Sequence, residues 1–240
     1  MPAIRLGVLS TGLVVALYSG TRALADTLTP YPVPVVAAGL LSVVLLGAVA
    51  GVRTTHPFPA LGPANVITAL RATLVALVTA LLWAPAVGRT AALVVWVASV
   101  AAALDGVDGW LSRRTGMESR FGARFDMETD AWLILALGVL VWRYDKAGAW
   151  VLLSGALRYL FIAAGWGLAW MRGTLPPSLR RKIVCVVQIV GLIVAMAPVV
   201  RPPLSTFIAL ASLLALAWSF AVDVAWLWRH RHRHAIVDLT

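Results

Sequence analysis

The sequence predicts an all-α, polytopic transmembrane helical bundle, and three observations predict it. The 240-residue chain is 61% hydrophobic and only 12% charged, whereas soluble globular domains run nearer ~25% charged. Apolar stretches of about 20 residues, the length a helix needs to cross a bilayer, recur along the whole chain. The breaks between them carry proline or charge: Pro30 to Pro34, His56-Pro57-Phe58-Pro59, Pro85 to Arg89, Arg143 to Lys146, Pro176-Pro177 and Pro202-Pro203.

In order, the spans fall near 4–24, 33–52, 65–84, 90–113, 121–142, 148–171, 181–200 and 204–228. The first follows Arg5, and Ala23-Leu24-Ala25 after it has the look of a leader cleavage site. A retained first helix is expected instead, because further long spans follow. Either way the N-terminus lies inside. Inner loops and helix ends then collect Arg53, Arg113, Arg114, Arg120, Arg124, Arg172, Arg180, Arg181, Lys182 and the arginines after Trp228. Outer ones hold Arg22, Arg89, Arg143, Lys146 and Arg201. This is the bias of the positive-inside rule, and it places the protein in the cytoplasmic (inner) membrane. Trp83, Trp142 and Trp150 at one boundary and Trp110, Trp170, Trp226 and Trp228 at the other match aromatic belts. Arg71 and Arg158 fall within spans.

The formal net charge of +10 does not indicate a nucleic-acid partner, since such binders are not this apolar. The single Cys185 excludes an intramolecular disulfide and a cysteine zinc site. The alternating Arg229-His230-Arg231-His232-Arg233-His234 reads as an anchor on anionic lipid. Three regions follow: 1–60 with two additional N-terminal helices, 61–228 with a six-helix catalytic domain, and a basic cytoplasmic tail, 229–240.

Of only 10 acidic residues, Asp105, Asp108, Glu118, Asp126, Glu128 and Asp130 crowd into one stretch. A charged aspartate at the centre of a membrane helix costs about 2.5–3.5 kcal/mol, so such residues are functional by default. Asp105 and Asp108 are three apart, and Asp126 and Asp130 four apart, so each pair shares a helix face. The two helices are joined by a short loop and are antiparallel, which lets the faces meet at one depth near the inner surface. Oxygen ligands from facing helices suit Mg²⁺ or Mn²⁺, with room for two ions. Gly109 and Gly122 permit close approach of a backbone or a flat ligand. Arg113, one turn beyond Gly109, can reach a phosphate.

The run Asp105-Gly106-Val107-Asp108-Gly109-Trp110-Leu111-Ser112-Arg113, followed after eight residues by Gly122 and then Asp126 and Asp130, closely resembles the signature of the CDP-alcohol phosphotransferase family. Ser112 stands where that family has alanine, a small change that tunes a nucleotide pocket rather than destroying it. Asn65 to Arg71 is similar to the opening of the family's first core helix. The resemblance implies an enzyme that transfers a phosphatidyl or phospho-alcohol group from a CDP-linked donor to a hydroxyl acceptor and releases CMP. It implies that Asp105, Asp108 and Asp126 hold two divalent metals, with Asp130 lining the site as general base. It also implies that Thr68, Asp108, Gly109, Ser112, Arg113 and Gly122 bind the nucleotide, and that the enzyme is a homodimer.

Substrate choice is less legible. Arg158 in the sixth span and Arg180, Arg181 and Lys182 at the start of the seventh form a candidate pocket for a phosphorylated acceptor. Their ordinary readings are a paired intramembrane charge and a positive-inside anchor. The pocket reading favours CDP-diacylglycerol as donor and glycerol 3-phosphate as acceptor, as in phosphatidylglycerophosphate synthases. Inositol phosphate, serine, or a CDP-alcohol donor with diacylglycerol are the alternatives. A cation transporter would explain the carboxylates but not Gly109, Arg113 and Gly122 in register. A silent lipid-binding homologue is the remaining reading.

Overall fold

The computed structural model describes residues 33–55, 63–115 and 119–234, with helical positions between 8 and 19. Within the helices, the side chains of 46–55, 63–64, 108–113, 115, 120 and 232–234 are outside the described set. The described chain is helical throughout. Its α-helices are α1 (Val33–Thr55), α2 (Pro63–Ala80), α3 (Gly88–Thr115), α4 (Arg120–Arg143), α5 (Leu153–Gly167), α6 (Leu179–Met196) and α7 (Leu204–His234). A short 3-10 turn at Leu81–Trp83 extends α2, one at Ala149–Leu152 leads into α5, and one at Ala169–Arg172 lies in the α5–α6 connection.

Among the described residues, four segments are long and apolar enough, by length and composition, to cross a membrane: Asn65–Trp83, Gly88–Val107, Ala149–Gly167 and Leu204–Arg231. The expected span 121–142 forms one continuous helix, but Arg124, Asp126, Glu128 and Asp130 load its first three turns. The expected span 148–171 is broken at Leu168, and a 3-10 turn carries it to Arg172.

Helix α4 is the hub. It packs on α1, α2, α5 and α6, while α2 pairs with α3 and α6 with α7. Leu133, Leu137 and Leu140 on α4 are buried among Leu81, Leu192, Met196 and the α1 residues Leu41 and Leu45. Ser119 starts α4 as an extended N-cap whose hydroxyl accepts from the Gly122 N–H at 3.0 Å. A Schellman motif ends it. The Asp145 N–H donates to the Trp142 carbonyl and the Lys146 N–H to the Val141 carbonyl, with Asp145 left-handed at φ 53°.

That turn also staples the neighbouring connections. Arg143 donates to the carbonyls of Leu82 and Ala84, at the end of α2. The Lys146 ammonium donates to the carbonyls of Ala197 and Val200 just after α6. Ser205 at the start of α7 donates to the Lys146 carbonyl at 2.7 Å. Burial, and after it the Arg201 charge, lowers the Lys146 pKa below its ordinary value. Two bases read from the sequence as outer-loop charges thus satisfy orphan helix-end carbonyls.

Small residues set the closest crossings, as membrane bundles require. A Cβ on Gly155 would lie 2.8 Å from Leu135 Cα, and one on Gly191 would lie 2.8 Å from Ser212 Cβ. Gly155→Ala is therefore expected to push α5 off α4 and destabilise the protein by about 1–3 kcal/mol. Gly39→Ala, where an added Cβ meets nothing within 4 Å, serves as the control and should not lose stability. Thermal midpoints in detergent check both.

Candidate active site

Three helices meet toward one end of the bundle, and each contributes charge. On α2, Asn65, Thr68 and Arg71 recur every three residues along one ridge, and all are buried. Helix α3 brings Asp105 to this ridge, and α4 brings Asp126 and Asp130. One oxygen from each aspartate lies within 4.8 Å of the others. Their side chains are 27%, 39% and 17% exposed for Asp105, Asp126 and Asp130, so the site is half open and Asp130 is its deepest carboxylate.

Arg71 occupies the middle of this cluster with only 1% of its side chain exposed. Its Nη1 lies 2.8 Å from Asp105 Oδ1 and also donates to Asp126 Oδ1, while Nη2 donates to Asp130 Oδ1. Its Nε donates to the Ala101 carbonyl at 3.2 Å, which ties the guanidinium to the backbone of α3. The fork geometry of arginine allows this; a lysine ammonium offers a single point charge instead. Three carboxylates thus share one guanidinium. The acidic motif alone does not point to Arg71. A charge in the middle of an apolar span was the available signal, by the same rule that singled out the aspartates.

Helix α6 closes the cluster from another side. Cys185 Sγ is 3.8 Å from Asp130 Oδ2. One turn further, Gln188 is fully buried, and neither amide atom has a hydrogen-bond partner among the described residues.

The other expected site residues divide into three groups. Asp108, Gly109, Ser112 and Arg113 lie on α3, with Asp108 three residues beyond Asp105, but their side chains, like Glu118, are outside the described residues. Gly122 lies against α2: an added Cβ would be 2.7 Å from Asn65 Oδ1. Its lack of a side chain thus serves helix approach. The expected acceptor arginines take carboxylate partners on two different helices. Arg158 on α5 pairs with Glu128 at 2.5 Å, with Met127 Sδ also close. Arg180 and Arg181 both pair with Asp223 of α7, Arg180 also bonding Ser219, and Lys182 is exposed. Asp223, a lone carboxylate in an apolar span, was not singled out in the sequence. The intramembrane-charge rule applied to it as well.

The donor set is all oxygen, drawn from facing helices and partly open to solvent, which fits a hard divalent cation. A family model described as CDP-alcohol phosphatidyltransferase matches residues 61–225. The chain belongs to the CDP-alcohol phosphatidyltransferase family. Comparison with curated proteins and with solved structures finds no match. As a CDP-alcohol phosphatidyltransferase it is a membrane enzyme of phospholipid synthesis, a transferase of substituted phosphate groups. The family uses a CDP-linked donor, a hydroxyl acceptor and, in general, divalent metal. The match begins beyond Thr55, the end of α1, so that helix is packed against the matched region without being part of it.

Gly122→Ala tests the α2–α4 contact. The new methyl should displace Asn65, lift α2 from α4 and lower stability by about 1–3 kcal/mol, seen as a lower thermal midpoint in detergent. An unchanged midpoint would show that the Asn65 carboxamide turns aside freely.

Proposed function

We propose that this enzyme transfers the phosphatidyl group of CDP-diacylglycerol to the hydroxyl of glycerol 3-phosphate and releases CMP, at a site facing the cytoplasm. The observation that carries the reading is the convergence of Asp105, Asp126 and Asp130 from two facing helices, in a chain of this family. Asp105, Asp108 and Asp126 are the residues for two divalent ions, Mg²⁺ or Mn²⁺, with Asp130 beside them. When bound, such ions neutralise the diphosphate and stabilise the attacking and leaving oxygens of an in-line displacement.

Asp130 is the general base in this reading. It is the least exposed of the three carboxylates and is bracketed by Arg71 and Cys185. Its carboxylate takes the acceptor hydroxyl proton as the acceptor oxygen bonds to the phosphatidyl phosphorus. The bond from that phosphorus to the CMP oxygen breaks, and CMP leaves with the electron pair. Thr68, Gly109, Ser112, Arg113 and Gly122 surround the nucleotide in this reading, with the buried Thr68 one turn from Arg71 on α2. The active enzyme is a homodimer, and the segment 1–60 adds two helices to the catalytic bundle.

A second reading has a specific observation behind it. Arg158, Arg180 and Arg181 already face Glu128 and Asp223. That leaves less positive charge for an acceptor phosphate, and so favours serine as acceptor, or diacylglycerol with a CDP-alcohol donor.

CMP release by the purified enzyme with CDP-diacylglycerol and Mg²⁺ or Mn²⁺ separates the readings. Glycerol 3-phosphate should support turnover, and inositol phosphate less. Asp130→Asn should lower the rate by about 10²–10⁴-fold, the usual share of general base catalysis. Turnover with serine alone, or only with a CDP-alcohol and diacylglycerol, would replace the first reading with the second. Cation flux in liposomes without nucleotide, lost in Asp105→Asn, would point to a transporter.

A further inference from the structure

Arg71 is chemically unusual for a site of divalent cations. It is a permanent cation placed where cations are to bind. A guanidinium keeps its proton under all ordinary conditions, so it cannot leave the cluster by titration. It is buried and fixed by two kinds of contact, to Oδ1 of three different aspartates and to the Ala101 carbonyl on α3. Two α2 neighbours, Ala69 and Ala72, are fully buried, and small side chains there let α2 approach closely enough for this reach.

We propose that Arg71 is a resident counter-cation that assembles the three carboxylates before divalent ions arrive and competes with those ions for the same oxygens, so that it sets the enzyme's metal affinity. The inference rests on the divalent-ion part of the functional reading but not on the choice of donor or acceptor. Without a cation, three carboxylate oxygens within 4.8 Å of one another repel strongly in this partly buried site. Arg71 holds the three carboxylates together. An incoming ion must then displace the guanidinium hydrogens from the carboxylates or bind against a like charge. Both lower its affinity. Arg71 is therefore a positioning residue, acting through the carboxylates.

The test is Mn²⁺ binding to the purified full-length protein in detergent, followed by the EPR signal of free Mn²⁺, together with thermal midpoints with and without Mn²⁺. Arg71→Met removes the charge and keeps an apolar stem. Its metal-free midpoint should fall below that of the wild type. Its Mn²⁺ affinity should rise at least tenfold, about 1.4 kcal/mol, and Mn²⁺ should raise its midpoint by more than it raises the wild-type value. A residue that merely fills space or supports the fold would leave Mn²⁺ affinity unchanged or weaken it, and that result would overturn the proposal. Arg71→Lys covers the case in which Arg71→Met does not fold. Lysine keeps the charge but cannot bridge three carboxylates and a carbonyl, so Mn²⁺ should bind severalfold more tightly than to the wild type. Equal or weaker binding in a folded Arg71→Lys protein would likewise overturn it.

Discussion

A guanidinium buried in a membrane bundle and three carboxylates gathered at one point are each unfavourable alone. Together, Arg71 and Asp105, Asp126 and Asp130 neutralise much of that cost, because charge-assisted hydrogen bonds are strongest where water is scarce. The interaction joins α2, α3 and α4, and the Ala101 carbonyl adds a backbone anchor. Other features of this end of the bundle are arranged around it. Asn65 and Thr68 line the same ridge as Arg71, Gly122 leaves room for Asn65, and Cys185 brings α6 against Asp130. The site and the helix packing are in this sense one construction.

The two ends of the bundle differ in kind. At one end, Arg143 and Lys146 are consumed by the carbonyls of neighbouring connections, and a Schellman turn holds both. Such an end is braced, with polar groups satisfied inside the protein. Toward the other end the three carboxylates are partly exposed beside Arg71. The braced end ties the helices together, and the other leaves a charged, half-open cluster.

The remaining basic residues illustrate how little a charge count says about a binding pocket. Arg158, Arg180 and Arg181 could be grouped on paper as an anion site. In the folded chain Arg158 meets Glu128 across the α4–α5 contact, and Arg180 and Arg181 meet Asp223 across α6–α7. A carboxylate within reach pairs with an arginine and leaves less of its charge for another anion. Those pairings tie the helices together.

Composition, span length and the positive-inside bias made the membrane helices legible, because the bilayer imposes length and polarity on every segment that crosses it. Asp105, Asp126 and Asp130 were legible for a related reason. Their i, i+4 spacing on one helix, and their place at facing helix ends, follow from local geometry alone. The sequence could not say which charge would stand at their centre, because Arg71 is 34 residues before Asp105 and 59 before Asp130. Nor could it pair Arg180 with Asp223 or set Asn65 against Gly122. Each of these contacts joins residues far apart in the chain, and its formation depends on how the helices rotate and cross. The sequence by itself determined the elements, the family motif and the kind of chemistry. Only the tertiary structure decided which charges neutralise one another, because that depends on distances of a few ångströms between helices, which no local periodicity encodes.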